Sequence, residues 1–383
     1  MTIECPSKED RTVETNERDD QDVIRPLGEG VQRFFKRILG FVGLGWEDSI
    51  LEFSSGNEED FRSQYEEYGI LGEGEFGTVM AVGRKQNNGP TATTTTEGEG
   101  DDNISKTKSP QRQLLACKYL KKGLVFKDNV IHTPLKTNVL KNECEALKML
   151  KGDHFTLKMI DTFESFNVIF LVTEHLEGQN MLDYKQSAYE GAVIPLSDVS
   201  RISFQLLDAV NHCAAYNVIH RDIKPDNIMF ETQNAGSPLR LIDFGSCAID
   251  RIDKHDHDDQ NNQTGEDRPP KCLDYHSTYA GAGFYNSPEM FQRKYTQKTD
   301  IWSVGVVLYV LVAGYPLNEL QKAFDHMHKK KHRNLRELPQ MPSDIPDSYI
   351  HLLNTLLEYK QNDRKHARDI LGYEFIRLHN NTQ

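Results

Sequence analysis

The chain has 383 residues, of which 37% are hydrophobic and 27% charged, and its formal net charge is −13. That length allows two or three domains or one bilobal one, and the acidic balance sets nucleic acid aside as a main partner, since such binders show a basic face. Six scattered cysteines without a CxxC pair, no signal-peptide-like start and no apolar run long enough to span a bilayer lead us to expect a soluble protein of the reducing interior, cytoplasmic or nuclear.

Residues 1–30 are polar and acid-rich and read as a disordered tail. In VQRFFKRILGFVGLGW (31–46), Phe34, Phe35, Ile38, Leu39 and Val42 fall at helical spacing, with Arg33, Lys36 and Arg37 on the other side. Such a helix either packs on the following domain or lies on a membrane surface, and Gly40, Gly43 and Gly45 end it early. Tyr65–Val82 reads as strand, glycine turn, strand. The block 85–112, with TATTTTEGEGDDN, has no apolar periodicity and reads as a disordered insertion. LLACKYL (114–120) is a short apolar strand, 138–150 has helical spacing, and 155–175 reads as two strands joined at Ser165–Asn167. Helical periodicity then dominates, at 196–215, 299–313 and 347–358. A mostly β part followed by a mostly α part predicts two lobes with a cleft between them, where ligand sites are favoured.

Four strings carry chemistry. In LGEGEFGTV (71–79), Gly72, Gly74 and Gly77 form GxGxxG, with Glu73 between the first two and Val79 two residues beyond. Glycines let backbone N–H groups approach phosphates. The motif alone also occurs in dinucleotide-binding folds, where it opens a helix; here Thr78–Val82 continues as a strand, which favours a β-hairpin flap. Lys118 lies between the apolar Ala116 and Leu120 and is expected to point into the same cleft. A buried ammonium needs a partner: Glu143 is the first candidate, because Leu147 lies one turn further on the same face, and Glu145 the second. VIHRDIKPDNIMF (218–230) sets His220, Arg221, Asp222, Lys224 and Asn227 between two apolar strands. Asp222 can take or orient a hydroxyl proton, Lys224 can stabilise charge developing on a phosphoryl group, and Asn227 offers a hard oxygen to Mg²⁺. In LIDFGS (241–246), Asp243 offers a carboxylate to a phosphate-bridging metal, and its place sixteen residues after Asn227 makes the tripeptide specific.

Together these strings closely resemble the eukaryotic protein kinase superfamily, serine/threonine type, over about residues 65–378. The resemblance implies an α+β bilobal fold: a small β-rich N-lobe (65–174), a larger α-helical C-lobe (175–379) and ATP in between, after an N-terminal extension 1–64. It implies that Lys118 holds the α/β-phosphates and pairs with Glu143, that Asp222 is the catalytic base, and that Asn227 and Asp243 hold Mg²⁺. LVTEHL (171–176) resembles the hinge, with Thr173 at the gatekeeper position and Glu174 and Leu176 offering backbone groups to adenine. SPE (287–289) resembles the APE motif, with Glu289 pairing Arg364; Asp300 resembles the aspartate of the central C-lobe helix; Leu147, His220 and Phe244 resemble the regulatory spine. Lys224 two residues after Asp222 is the serine/threonine pattern. MLDY (181–184) and the overall layout resemble calcium/calmodulin-dependent kinases, without fixing a subfamily.

Three features depart from that pattern. Ala282 stands where serine/threonine kinases usually carry threonine, which bears on acceptor preference. The segment from Asp243 to Glu289 is long, with an acidic insertion at about 250–275; its His255, His257 and Cys272 are too irregularly spaced for a zinc site. The third is the insertion before Lys118. The expected activity is transfer of the γ-phosphoryl of Mg·ATP to protein serine or threonine hydroxyls. The alternatives are a nucleotide-binding pseudokinase or scaffold, which typically lacks one of Lys118, Asp222 or Asp243, a small-molecule kinase, which generally lacks SPE and Lys224, and a dual-specificity kinase. Ser277, Thr278 and Tyr279 lie where a phosphate would meet Arg221; phosphorylation there switches activity, or the acidic insertion already supplies the charge. The oligomeric state is not encoded in any of these strings.

Overall fold

The computed structural model describes residues 51, 53–74, 77–85, 113–122, 125–127, 130–132, 136–189, 194–234, 236–250, 283–314, 322 and 334–380, all within the unit Ile50–Gln383. Packing starts ahead of Tyr65, where the sequence reading opens the folded domain. Leu51 is buried and its N–H donates to Glu164 Oε2 at 3.0 Å. Helix α1 (Glu58–Gln64) is started by a capping box: Asn57 Oδ1 accepts from the N–H groups of Glu59 (2.8 Å) and Asp60 (3.1 Å), and Asp60 Oδ2 accepts from Asn57 N–H (2.9 Å). Three acids in its first turn and Arg62 in its last complement the helix dipole. Its one buried side chain is Phe61.

Phe61 covers one face of a five-stranded antiparallel sheet. Strands β1 (Tyr65–Gly74), β2 (Gly77–Arg84) and β3 (Leu114–Lys121) are followed by a separate small hairpin, β4 (Val125–Lys127) with β5 (Val130–His132), then by helix α2 (Lys136–Leu150) and strands β6 (Met159–Glu164) and β7 (Val168–Glu174). The sheet order is β1-β2-β3-β7-β6. Side chains alternate across a strand. Leu115, Cys117, Tyr119, Phe170 and Val172 therefore share one face and form a closed cluster with Phe61, Tyr65, Val82 and Phe163. The other face carries Ala116, Lys118 and Leu120, paired with Thr173, Leu171 and Ile169. That face looks onto α2 and the larger lobe, and Leu120, Ile169 and Leu171 join the main core there.

The second lobe opens with α3 (Met181–Tyr189) and α4 (Leu196–Ala215), whose Val199, Ile202, Leu206, Val210 and Cys213 recur at helical spacing and are buried. Two short antiparallel pairs follow, β8 (Val218–Ile219) with β11 (Ala248–Ile249), and β9 (Ile228–Phe230) with β10 (Leu239–Leu241). Helices α5 (Pro288–Phe291), α6 (Lys298–Ala313), α7 (Asp347–Leu356), α8 (Ala367–Ile370) and α9 (Glu374–Asn380) complete it. Every residue of α6 from Thr299 to Ala313 is buried, which its nearly all-apolar sequence requires. The molecule thus has the expected bilobal α+β architecture. Among the described residues no helix is long and apolar enough to cross a membrane.

Candidate active site

The glycine hairpin uses its glycines for different reasons. Gly77 has φ +146°, and a Cβ there would lie 1.9 Å from the Tyr119 carbonyl oxygen, so the close approach of β2 to β3 demands glycine. A Cβ on Gly72 would meet nothing within 4 Å, so packing places no such demand on it. Gly74 pairs with Gly77, and Glu73 is exposed opposite Thr78. Val79 pairs with Lys118, and Ala116 with Thr173, so register alone puts these four side chains on the face toward the cleft.

Lys118 Nζ lies 2.7 Å from Glu143 Oε1 and 3.0 Å from Asp243 Oδ1. Glu143 is buried, on the same face of α2 as Leu147; Glu145 instead faces Lys141, at 3.6 Å one turn back. Burial alone would push the Lys118 pKa down, but the charges of Glu143 and Asp243 and their hydrogen bonds outweigh it, and the pKa is raised. For Asp243 burial acts upward, the Lys118 charge and hydrogen bond outweigh it, and its pKa is lowered. Both groups are thus held ionised.

The loop between β8 and β9 hangs from α6. Asp300 is 1% exposed, and its carboxylate accepts the backbone N–H groups of His220 (2.8 Å) and Arg221 (2.9 Å). Its burial raises its pKa despite those contacts. His220 Nδ1 accepts from Asp222 N–H at 3.3 Å, so Nε2 carries the proton and donates to the Ile242 carbonyl at 3.0 Å. Asp222 Oδ2 accepts from Lys224 Nζ at 2.8 Å and from Asn227 Nδ2 at 2.9 Å; the same Asn227 nitrogen also reaches the Asp222 carbonyl at 2.8 Å. The Asn227 amide is thereby oriented with its nitrogen engaged, leaving its Oδ1 as an acceptor.

The next segment is tied to that loop, because Ile242 N–H donates to the Asn227 carbonyl at 2.9 Å. Asp243 follows in the left-handed region (φ 59°, ψ 75°), accepting from Gly245 N–H at 3.3 Å. Such a conformation in a residue other than glycine is costly and persists where surrounding contacts fix it. The Phe244 ring packs edge-on to His220 at 4.7 Å, and Leu147 lies in the same buried core as Phe244. Further off, Arg364 grips Glu289 through Nη1 (2.5 Å) and Nη2 (3.2 Å), and Asn227, Thr173 and Glu289 are all buried.

Lys118, Glu143, Asp222, Lys224, Asn227 and Asp243 are thus linked by direct hydrogen bonds into two groups, joined through Asn227 and Ile242. Thr173, Glu174 and Leu176 line the connection between the lobes: Glu174 N–H donates to the Lys158 carbonyl at 3.0 Å, and Leu176 is half-buried. Sequence reasoning did not single out Arg240 or Tyr295. Arg240 meets Glu231 at 2.9 Å and Glu174 at 3.4 Å; Tyr295 meets Arg221. Neither belongs to a local motif, so no signal along the chain marked them. Ala282, Ser277, Thr278, Tyr279, His255, His257, Cys272, the 31–46 segment and most of the 85–112 block lie outside the described residues.

A β-sheet lobe on a helical lobe, with a strand lysine paired to a helix glutamate beneath a glycine hairpin, defines the protein kinase class of fold. The family described as "Protein kinase domain" matches residues 97–376, most of the chain, and the chain belongs to that family. It is 29% identical over 326 residues to "Calcium-dependent protein kinase 4" of Plasmodium berghei (strain Anka), covering 83% of this chain and 50% of that protein. It is 31% identical over 182 residues to "CDPK-related kinase 3" of Arabidopsis thaliana (48% of this chain, 27% of that protein), and 27% identical over 265 residues to "CDPK-related kinase 7" of the same plant (69% and 37%). The chain spans half or less of the length of these relatives.

Proposed function

We propose that this chain is an active serine/threonine protein kinase that transfers the γ-phosphoryl of ATP to protein hydroxyls. The observation that carries this reading is the bridged set Glu143–Lys118–Asp243 beside Lys224–Asp222–Asn227, with distances of 2.7–3.0 Å throughout. A pseudokinase would not need every one of these groups in place. Lys118, held charged, is suited to grip the α/β-phosphates. Asp222, aimed by Lys224 and Asn227, is suited to take or orient the acceptor proton. Lys224 is suited to steady the charge that develops on the transferred group. The open space at Gly72 supports close approach of phosphate to the hairpin backbone. The donor chemistry fits magnesium: the Asp243 carboxylate and the Asn227 amide oxygen are hard oxygen ligands, on segments tied together by the Ile242–Asn227 backbone bond. Bound there, magnesium would supply neutralisation of phosphate charge. Serine or threonine as acceptor is supported by Lys224 two residues after Asp222, and an adenine position by Thr173, Glu174, Leu176, Val79 and Ala116 around the cleft.

The test is a peptide-library assay with Mg·ATP on wild type, Asp222→Asn and Asp243→Asn. We expect serine or threonine phosphorylation by wild type, with transfer lowered roughly 10³-fold or more in each variant and melting temperature unchanged. Wild-type turnover in Asp243→Asn would remove its assigned role. No transfer by the wild type to any peptide would favour the scaffold reading.

A further inference from the structure

Arg221 carries an arrangement that the phosphoryl-transfer reading leaves unused. It immediately precedes Asp222, and its backbone sits in the left-handed region, φ 67°. In a non-glycine residue that conformation needs contacts to hold it. Its N–H is fixed by Asp300, and its guanidinium donates from all three nitrogens: Nε to the Ser246 carbonyl (2.6 Å), Nη2 to the Cys247 carbonyl (3.0 Å) and Nη1 to the Tyr295 hydroxyl (2.8 Å). The first two partners lie on the segment that carries Asp243. The third lies on the connection between α5 and α6.

That connection is itself anchored. Thr296 N–H donates to Gln361 Oε1 at 2.6 Å, Gln297 Nε2 donates to the Ala214 carbonyl at 3.2 Å, and Lys294 N–H donates to the Glu289 carbonyl at 3.3 Å. The Tyr295 hydroxyl therefore stands on a mount fixed on both sides. An arginine has no acceptor, so the tyrosine oxygen must accept, and a charge-assisted bond from a guanidinium is among the stronger ones.

We propose that Tyr295 is a positioning residue for phosphoryl transfer. Its hydroxyl holds the Arg221 guanidinium against the Ser246 and Cys247 carbonyls, and so fixes Asp222 relative to Asp243. The inference rests on the kinase reading above, and the experiment separates the two. Tyr295→Phe removes only the hydroxyl. Steady-state kinetics should show kcat lowered about tenfold with KM for ATP unchanged, because a bond to a charged group is lost while the nucleotide contacts remain. Combined with Arg221→Ala, the two losses should fall well short of multiplying, since Arg221→Ala already removes the contact that Tyr295→Phe breaks. A kcat equal to wild type, or losses that multiply fully, would overturn the assignment. If the wild type transfers phosphate to no peptide, the kinase reading fails on its own account. Hydrogen–deuterium exchange over residues 244–249 then decides: faster exchange in Tyr295→Phe than in wild type supports the tether, and identical exchange refutes it.

Discussion

Phe61 tests whether residues ahead of Tyr65 belong to the folded domain. Its side chain is 0% exposed, stacked on Phe170 at 4.6 Å and Tyr65 at 5.5 Å, with Phe163 and Tyr119 edge-on at 5.6 and 6.2 Å. Phe61→Ala removes the ring from the middle of this aromatic box. Truncating a buried phenylalanine costs about 3–5 kcal/mol, against a total of roughly 5–15 kcal/mol for a domain. For a unit of this size the melting temperature should fall by about 5–15 °C. Phe61→Leu keeps most of the volume and should lose far less. Thermal and urea unfolding of purified full-length chain measure both. Phe61 covers the sheet face opposite Lys118, so KM for ATP at a temperature where the variant stays folded should match wild type. A melting temperature within about 1 °C of wild type would refute the reasoning, because a ring that contributes so little is not part of the core.

Thr173 is buried on the cleft face beside Ala116. Thr173→Met should weaken inhibitors that reach behind the adenine position while ATP turnover persists, and equal inhibitor affinity in variant and parent would refute the assigned hinge register. Arg364 is 1% exposed and its guanidinium pairs with the Glu289 carboxylate; Glu289→Gln should lower unfolding free energy by about 3–5 kcal/mol, since it takes away the counter-charge of a buried cation. Urea midpoints that coincide would show the pair to be dispensable.

Much of the site is legible in the sequence because its parts are local. HRDIKPDN places His220, Arg221, Asp222, Lys224 and Asn227 within eight residues, and the chain between β8 and β9 is too short to arrange them in many ways. The alternation in LLACKYL is enough to set Lys118 opposite the face of Cys117 and Tyr119. The preference for Glu143 over Glu145 follows from the helical repeat that puts Glu143 with Leu147, and the observed 2.7 Å bond to Lys118 agrees with it. The hairpin β4–β5 left no such trace: its strands are only three residues each, below the length at which periodicity can be read.

What the sequence by itself determined, then, is local: the periodicities of β3, α2, α4, α6 and α7, the glycine hairpin, and the identities of the polar groups that converge on the cleft. What only the tertiary structure decided is which distant surfaces meet. Phe61 looks like one apolar residue in an acidic stretch until β6 and β7 bring Phe163 and Phe170 beneath it. Tyr295 looks like an ordinary loop tyrosine until Arg221, 74 positions away, turns its guanidinium toward it. Local hydrogen bonding and side-chain alternation act over a few residues and leave a signature in the chain; pairing between segments far apart depends on how the two lobes fold, and no spacing along the sequence records it.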